Sequence, residues 1–332
     1  MTAARAFAEL VPMDGNPIPP GGIVQLVRTA GGVTLRTARW PAPPSRRRGS
    51  VLLIQGRNES IEKYFETVED LLGRGFAVCT FDWRGQGGSD RVHRDNLCHV
   101  ESYADYDRDL DAVVRQVFLP DCPPPHFALA HSMGALLCMR AASAGRVRFD
   151  RMVLLAPMLA FSRVASPSMR TVRTMARMGL FLGMDDRAIS RKPWVKWKEL
   201  HPRDEPRQAK ASAIFRASPQ LRCGIPSVRW LHSAVVAMQE AVRPEFRAAI
   251  RIPSLLVIAS RDTVVANDPI ERFATGPRSG APLILPGAQH EVLMEENPIR
   301  DAFWAAFDAF IPGGNDYRLP DLPAQDVENT VV

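Results

Sequence analysis

The run Phe127-Ala128-Leu129-Ala130-His131-Ser132-Met133-Gly134-Ala135 limits how this chain can fold more than any other stretch. A short apolar segment ends in a serine between small residues, and a helix-forming run follows at once. A strand that turns straight into a helix holds the residue at the turn in a strained conformation. Only small residues fit two places before it and two places after. Those places hold Ala130 and Gly134, so the pattern is A-x-S-x-G rather than the commoner G-x-S-x-G. Such a turn presents the Ser132 hydroxyl as a nucleophile.

The segments around this turn alternate between strand and helix. Ile23 to Thr29 and Val33 to Trp40 read as a hairpin joined by Gly31-Gly32. Ser50 to Ile54 and Phe76 to Phe81 read as buried strands, with an amphipathic helix between them from Ile61 to Arg74. Tyr103 to Phe118 has helical spacing, and Arg151 to Ala156 is a further strand. The alternation stops after Pro157 and resumes with strands at Ser254 to Ala259 and Pro282 to Leu285 and a helix at Pro298 to Ile311. Strands and helices alternating at this spacing predict a parallel sheet covered on both faces. We divide the chain into core residues 1–159, a helical insertion at 160–243, core residues 244–312 and a mobile tail at 313–332. The stretch to Pro20 is expected to be a loosely held arm with a short helix from Ala4 to Leu10.

Charge sets the insertion apart. Ala160 to Leu231 carries fifteen Lys/Arg against five Asp/Glu, a net +10, which leaves −4 for the rest of a chain whose total is +6. A basic segment of this kind suits an anionic partner such as a lipid headgroup or membrane surface, or is simply a solvated helical face. No nucleic-acid-binding motif accompanies it, and no nucleic acid is expected as a partner. Met169, Met175, Met178, Trp194 and Trp197 are expected mostly to pack the insertion's own core. No apolar run reaches the ~18 residues that a bilayer requires. Met1 to Gly21 lacks the features of a secretory signal. The five cysteines are scattered without metal-ligand spacing, so reduced thiols, a cytoplasmic location and no metal or cofactor are expected.

A serine hydroxyl attacks at neutral pH only with a general base, and the base needs an orienting acid. On a parallel sheet these follow the serine in the order acid, then histidine. Asp262 lies just past the strand Ser254 to Ala259, and His290 lies between the last strand and the last helix. Asp268 is the nearest competitor for the acid. His131, although next to the serine, should point away from the turn. Two N–H donors are needed for the oxyanion. Met133, after the serine, and Arg57, in the loop after Ser50 to Ile54, are the candidates. The glycine-rich Asp82-Trp83-Arg84-Gly85-Gln86-Gly87-Gly88-Ser89 lacks the Lys-Ser/Thr of a phosphate loop and reads as structural.

Taken together, Gly56-Arg57-Asn58-Glu59 with Lys63-Tyr64, the Phe81 to Ser89 stretch, His131-Ser132-Met133-Gly134, Arg261-Asp262 and Pro286-Gly287-Ala288-Gln289-His290-Glu291 resemble the α/β-hydrolase superfamily. Within it they resemble the lysophospholipase and monoacylglycerol lipase branch, bacterial lysophospholipases most. The resemblance implies an eight-stranded, mostly parallel sheet with a helical cap. It also implies cofactor-free hydrolysis of a single-chain acyl ester by Ser132, His290 and Asp262, with Arg57 and Met133 as oxyanion donors. Against the family pattern, Ala130 stands for a glycine and Gln55 for a histidine. An esterase, thioesterase or proline-type peptidase on the same fold, and a non-catalytic binding protein, remain open alternatives.

Overall fold

The computed structural model describes residues 5–43, 47–164, 166–189, 205–275 and 281–312. Eight strands form one sheet: β1 Ile23–Arg28, β2 Thr34–Trp40, β3 Ser50–Ile54, β4 Ala77–Phe81, β5 His126–His131, β6 Arg151–Leu155, β7 Ser254–Ala259 and β8 Ala281–Leu285. Their spatial order is β1-β2-β4-β3-β5-β6-β7-β8. β2 pairs antiparallel with β1 and β4, and every pairing from β4 through β8 is parallel.

The central strands read as unbroken apolar runs because both of their faces are covered. Leu52, Ile54, Ala128, Ala130, Leu256 and Ile258 face one core. Val51, Leu53, Phe127, Leu129, Leu255 and Val257 face the other. Three helices supply most of the helical side of the first core: α2 (Tyr103–Val113), α4 (Met133–Ser143) and α9 (Asn267–Ala274). The second is closed by α1 (Phe65–Gly73) and α10 (Asn297–Phe310), which bring Phe65, Val68, Phe303 and Phe307. α2 begins at a capping box, with Ser102 Oγ accepting from the Ala104 N–H and Asp105 Oδ2 from the Ser102 N–H. It passes through a π turn, Val114–Phe118, into the single turn α3 (Leu119–Asp121).

Between β6 and β7 the described chain is helical: α5 (Met169–Phe181), α6 (Glu205–Ala217), α7 (Val228–Ala241) and α8 (Pro244–Ala249). α7 packs on α5, α4 and α2. Two expectations fail here and at the N-terminus. Met175 and Met178 are 60% and 59% exposed, and Phe181 is 90% exposed, so this side of α5 packs against nothing among the described residues. Trp194 and Trp197, like the tail from residue 313, lie outside the described residues. Residues 5–12 form no helix, and the arm is pinned. Ala6 N–H donates to Asp90 Oδ1 at 2.7 Å and Phe7 N–H to the Gly88 carbonyl at 3.0 Å, and Asn16 Nδ2 donates to the Glu62 carbonyl. These partners hold the segment along the glycine-rich loop.

The glycine-rich loop after β4 is structural, as expected. Asp82 binds the fully buried Arg36 at 2.7 Å and accepts from the N–H groups of Ile61 and Gly88. Glu62 completes the knot on Arg36 at 2.8 Å. A Cβ on Gly87 would sit 2.0 Å from Asp82 Cγ, which explains the glycine.

Candidate active site

Ser132, Asp262 and His290 all fall just past the C-terminal ends of parallel strands, β5, β7 and β8 respectively. Ser132 has φ 53° and ψ −115°, the strained turn that its small neighbours imply. Its N–H bonds the Leu155 carbonyl at 2.9 Å and its carbonyl accepts from the N–H groups of Leu136 and Met158, fixing the turn to β6 and α4. The two flanking small residues are not equivalent. A Cβ on Gly134 would lie 2.3 Å from the Gln55 carbonyl oxygen and 2.6 Å from that of Ile54. Ala130 sits fully buried in β5, opposite Ile54 and Leu154, with its methyl in the core. The methyl therefore coexists with the turn.

The three side chains meet in a line. His290 Nε2 is 2.9 Å from Ser132 Oγ, and His290 Nδ1 is 2.7 Å from Asp262 Oδ2. The other Asp262 oxygen accepts from the N–H groups of Val264 and Val265 at 2.8 and 3.0 Å. The Asp262 side chain is fully buried, whereas the competitor Asp268 is exposed at the start of α9. A carboxylate held by two backbone donors fixes one imidazole nitrogen, so the other faces the serine hydroxyl as an acceptor.

Gly134 packs directly on the carbonyls of Ile54 and Gln55, which brings the loop after β3 against the serine turn. Among the described residues, neither the Arg57 nor the Met133 N–H has a protein acceptor. The loop itself is densely tied. Gln86 donates to the carbonyls of Gly56 and Glu59 and accepts from the Asn58 N–H. Trp83 Nε1 donates to the Gln55 carbonyl at 2.8 Å. Gln55, in the place of the usual histidine, turns its amide to Asp82 and Thr80.

Glu59 is central to a cluster that sequence reasoning passed over. It accepts from the Gly56 N–H, from Tyr64 Oη at 2.7 Å and from Lys63 Nζ at 2.6 Å, and it contacts His131 Nδ1 at 3.2 Å. Lys63 also reaches Glu291 at 2.5 Å. His131 leaves the serine as expected, but its Nε2 meets the His290 carbonyl at 3.1 Å, behind the triad histidine. Burial works against the Glu59 charge, but Lys63 and His131 hold its carboxyl well below the usual range. Burial also works against a charge on His131, yet Glu59 and Glu291 raise its pKa. Glu59, His131 and Glu291 stand close enough to ligate a metal ion, but the Lys63 ammonium already supplies the cation between the two carboxylates. The local signals were the Gly56 to Glu59 motif with Lys63-Tyr64, to which no role was given, and the i,i+4 spacing of Glu59 and Lys63.

The profile of the family described as serine aminopeptidase, S33, matches residues 45–297. The chain belongs to this family. Among curated relatives, lysophospholipase L2 of Escherichia coli K12 is 30% identical over 302 residues, covering 80% of this chain and 82% of that protein. Two solved structures share the fold. The monoacylglycerol lipase of Paleococcus ferrophilus has a TM-score of 0.65 at 23% identity, covering 84% of this chain and 99% of its own. A soluble variant of the Saccharomyces cerevisiae monoglyceride lipase, in complex with a substrate analog, has a TM-score of 0.70 at 17% identity, covering 89% and 97%. The family and the sheet order place the chain among α/β-hydrolases, in the lysophospholipase and monoacylglycerol lipase branch.

Proposed function

We propose that this protein hydrolyses the carboxylic ester of a single-chain lipid through an acyl-enzyme on Ser132. The hydrogen-bonded line from Ser132 through His290 to Asp262 carries the reading. Ser132 Oγ attacks the ester carbonyl carbon as its proton passes to His290 Nε2. The oxyanion takes hydrogen bonds from the N–H groups of Arg57 and Met133, which have no acceptor of their own among the described residues. Collapse breaks the ester C–O bond, and His290 returns the proton to the leaving alcohol. Water, deprotonated by His290, then attacks the acyl carbonyl, and the second collapse restores Ser132 and frees the fatty acid. Asp262 keeps His290 in the required tautomer and stabilises its charged form. The names of the relatives support a lysophospholipid or monoacylglycerol substrate.

The helical insertion acts as a cap that delivers the lipid. Its supports are the Arg57–Trp230 contact and the Cys223 N–H bond to Asn58 Oδ1, both between insertion and oxyanion loop. The bare side of α5 carries Met175, Met178 and Phe181, with Arg170, Arg173 and Arg177 on the same helix. Apolar and basic groups on one helix suit the surface of an anionic bilayer, so the protein works in the cytoplasm, at the inner membrane face. The five free cysteines are in keeping with that compartment. No helix among the described residues is long and apolar enough to cross a membrane.

A fluorophosphonate probe tests the nucleophile. Folded wild type should be labelled and Ser132→Ala should not, and labelling of both defeats the triad. A panel of lysophospholipid, monoacylglycerol, acyl-CoA, short ester and aminoacyl substrates tests the class. Turnover of short esters alone defeats the lipid reading.

A further inference from the structure

Arg57 has a side chain that the oxyanion role does not use. It is half-buried, and its guanidinium carbon lies 5.6 Å from the ring centre of Trp230 in the helical insertion. That ring is itself fixed, with Nε1 donating to Tyr106 Oη at 3.1 Å and Tyr103 packed beside it. Arg36, Arg84 and Arg140 are each ion-paired to an aspartate. Among the described residues Arg57 has no carboxylate partner. It does meet the buried Cys98 thiol, which burial pushes up and which a hydrogen bond with Cys223 and the charge and hydrogen bond of Arg57 draw below its ordinary value. A half-buried guanidinium with five donors and no oxygen acceptor among the described residues has donors to spare. A planar fork of donors of this kind matches a phosphate group.

We propose that the Arg57 guanidinium is a phosphate subsite, so that the preferred ester carries a phosphodiester on its glycerol and is not a neutral monoacylglycerol. The inference rests on the ester-hydrolase reading above and deepens it. Reach supports it. In a 1-acyl-glycero-3-phospho ester, the phosphorus stands at most about 7 Å from the ester carbonyl carbon, and an extended arginine places its guanidinium carbon about 6 Å from its Cα. One residue can therefore hold the oxyanion with its backbone N–H and the phosphate with its side chain. The phosphate then fixes which carbonyl faces Ser132. The Trp230 ring holds the guanidinium where the oxyanion loop meets the insertion.

The test compares wild type, Arg57→Gln and Arg57→Lys on 1-acyl lysophosphatidylcholine and on a monoacylglycerol of the same acyl chain, in phosphate-free buffer. Arg57→Gln should lower kcat/KM for the lysophospholipid by roughly ten- to hundredfold more than for the monoacylglycerol. The extra loss should lie mainly in KM, and Arg57→Lys should recover part of it. Equal losses on the two substrates overturn the subsite. Inorganic phosphate separates the two sources of the same chemistry. If added phosphate alters both wild-type rates, but Arg57→Gln leaves the substrate ratio unchanged, the site takes free phosphate and the headgroup assignment is wrong. Binding gives a readout that does not need turnover. In a Ser132→Ala background, calorimetry with 1-O-dodecyl-glycero-3-phosphocholine and 1-O-dodecylglycerol should show Arg57→Gln weakening the phosphocholine ether selectively. If wild type hydrolyses neither ester, the hydrolase reading fails, and the ether measurement still decides the role of Arg57.

Discussion

Asp262→Asn tests the triad with almost no change of shape. The new amide can sit in two ways. With its oxygen toward Val264 and Val265 it keeps both backbone hydrogen bonds, now 2.8 and 3.0 Å, and turns its NH₂ toward His290 Nδ1, now 2.7 Å from the carboxylate. Flipped, it sets NH₂ against two N–H donors in a fully buried place. That costs roughly 1–3 kcal/mol for each donor left unsatisfied. The first orientation wins, and it makes His290 Nδ1 an acceptor. The imidazole proton must then move to Nε2, which points at Ser132 Oγ from 2.9 Å and has no lone pair left for the serine proton. The expected loss is about 10⁴-fold in kcat, equivalent to about 5.5 kcal/mol of barrier. The assay is ester turnover by purified Asp262→Asn, with thermal unfolding to show that the fold is kept. Asp268→Asn, at the exposed start of α9, serves as the control and should behave as wild type. A folded Asp262→Asn within tenfold of wild type, or a larger loss in Asp268→Asn, refutes the reasoning.

Gly134→Ala drives a methyl to 2.3 Å from the Gln55 carbonyl. It should cost about 1–3 kcal/mol of stability and lower kcat by displacing the oxyanion loop, which denaturant unfolding and kinetics read together. Ala130→Gly removes only a buried methyl and frees the strand backbone. Unfolding curves should show a loss of about 1–2 kcal/mol with little change in kcat. Lys63→Met strips the cation from between Glu59 and Glu291 and should destabilise the fold by about 3–5 kcal/mol, so an unchanged denaturation midpoint would show that the cluster is dispensable. The raised pKa of His131 gives stability that is fully present below 6.5 and is lost as pH climbs through its higher folded value. The melting-temperature gap between wild type and His131→Asn should therefore narrow from pH 6.5 into alkaline buffer, and a gap that widens refutes a charged His131 facing Glu59, Glu291 and Lys63.

The sheet was readable from the sequence because each central strand is a short apolar run bounded by glycine, proline or charge, and each helix repeats at its own period. The meeting of Ser132, Asp262 and His290 was readable because a parallel sheet gathers its loops at one edge, so the order of three residues along the chain carried spatial information. The Glu59 cluster was not. Glu291 and Lys63 lie 228 residues apart, and the expected turn of His131 away from the serine does not tell that it meets Glu59, 72 residues away. The N-terminal arm misled for a related reason. Ala4 to Leu10 has helix-forming composition, but the segment is held by residues far along the chain, with Asp90 and Gly88 accepting from Ala6 and Phe7 and Arg36 donating to the Glu9 carbonyl. The exposed methionines of α5 show the opposite limit: helical spacing marks an apolar stripe and says nothing about what the stripe meets.

The loop after β3 and the loop after β8 are separated by three intervening strands in the sheet, and Glu59 and His131 couple them behind the serine. Gly56 and the His290 carbonyl are thereby tied to a single pair of side chains. The proposed oxyanion donor and base cannot drift separately while that pair holds. Heat or acid that breaks it should disarm both at once, so catalytic power should vanish in one step ahead of global melting instead of fading gradually. Substitutions made in the two loops should also fail to add. Anyone reshaping this enzyme would have to exchange them as a block.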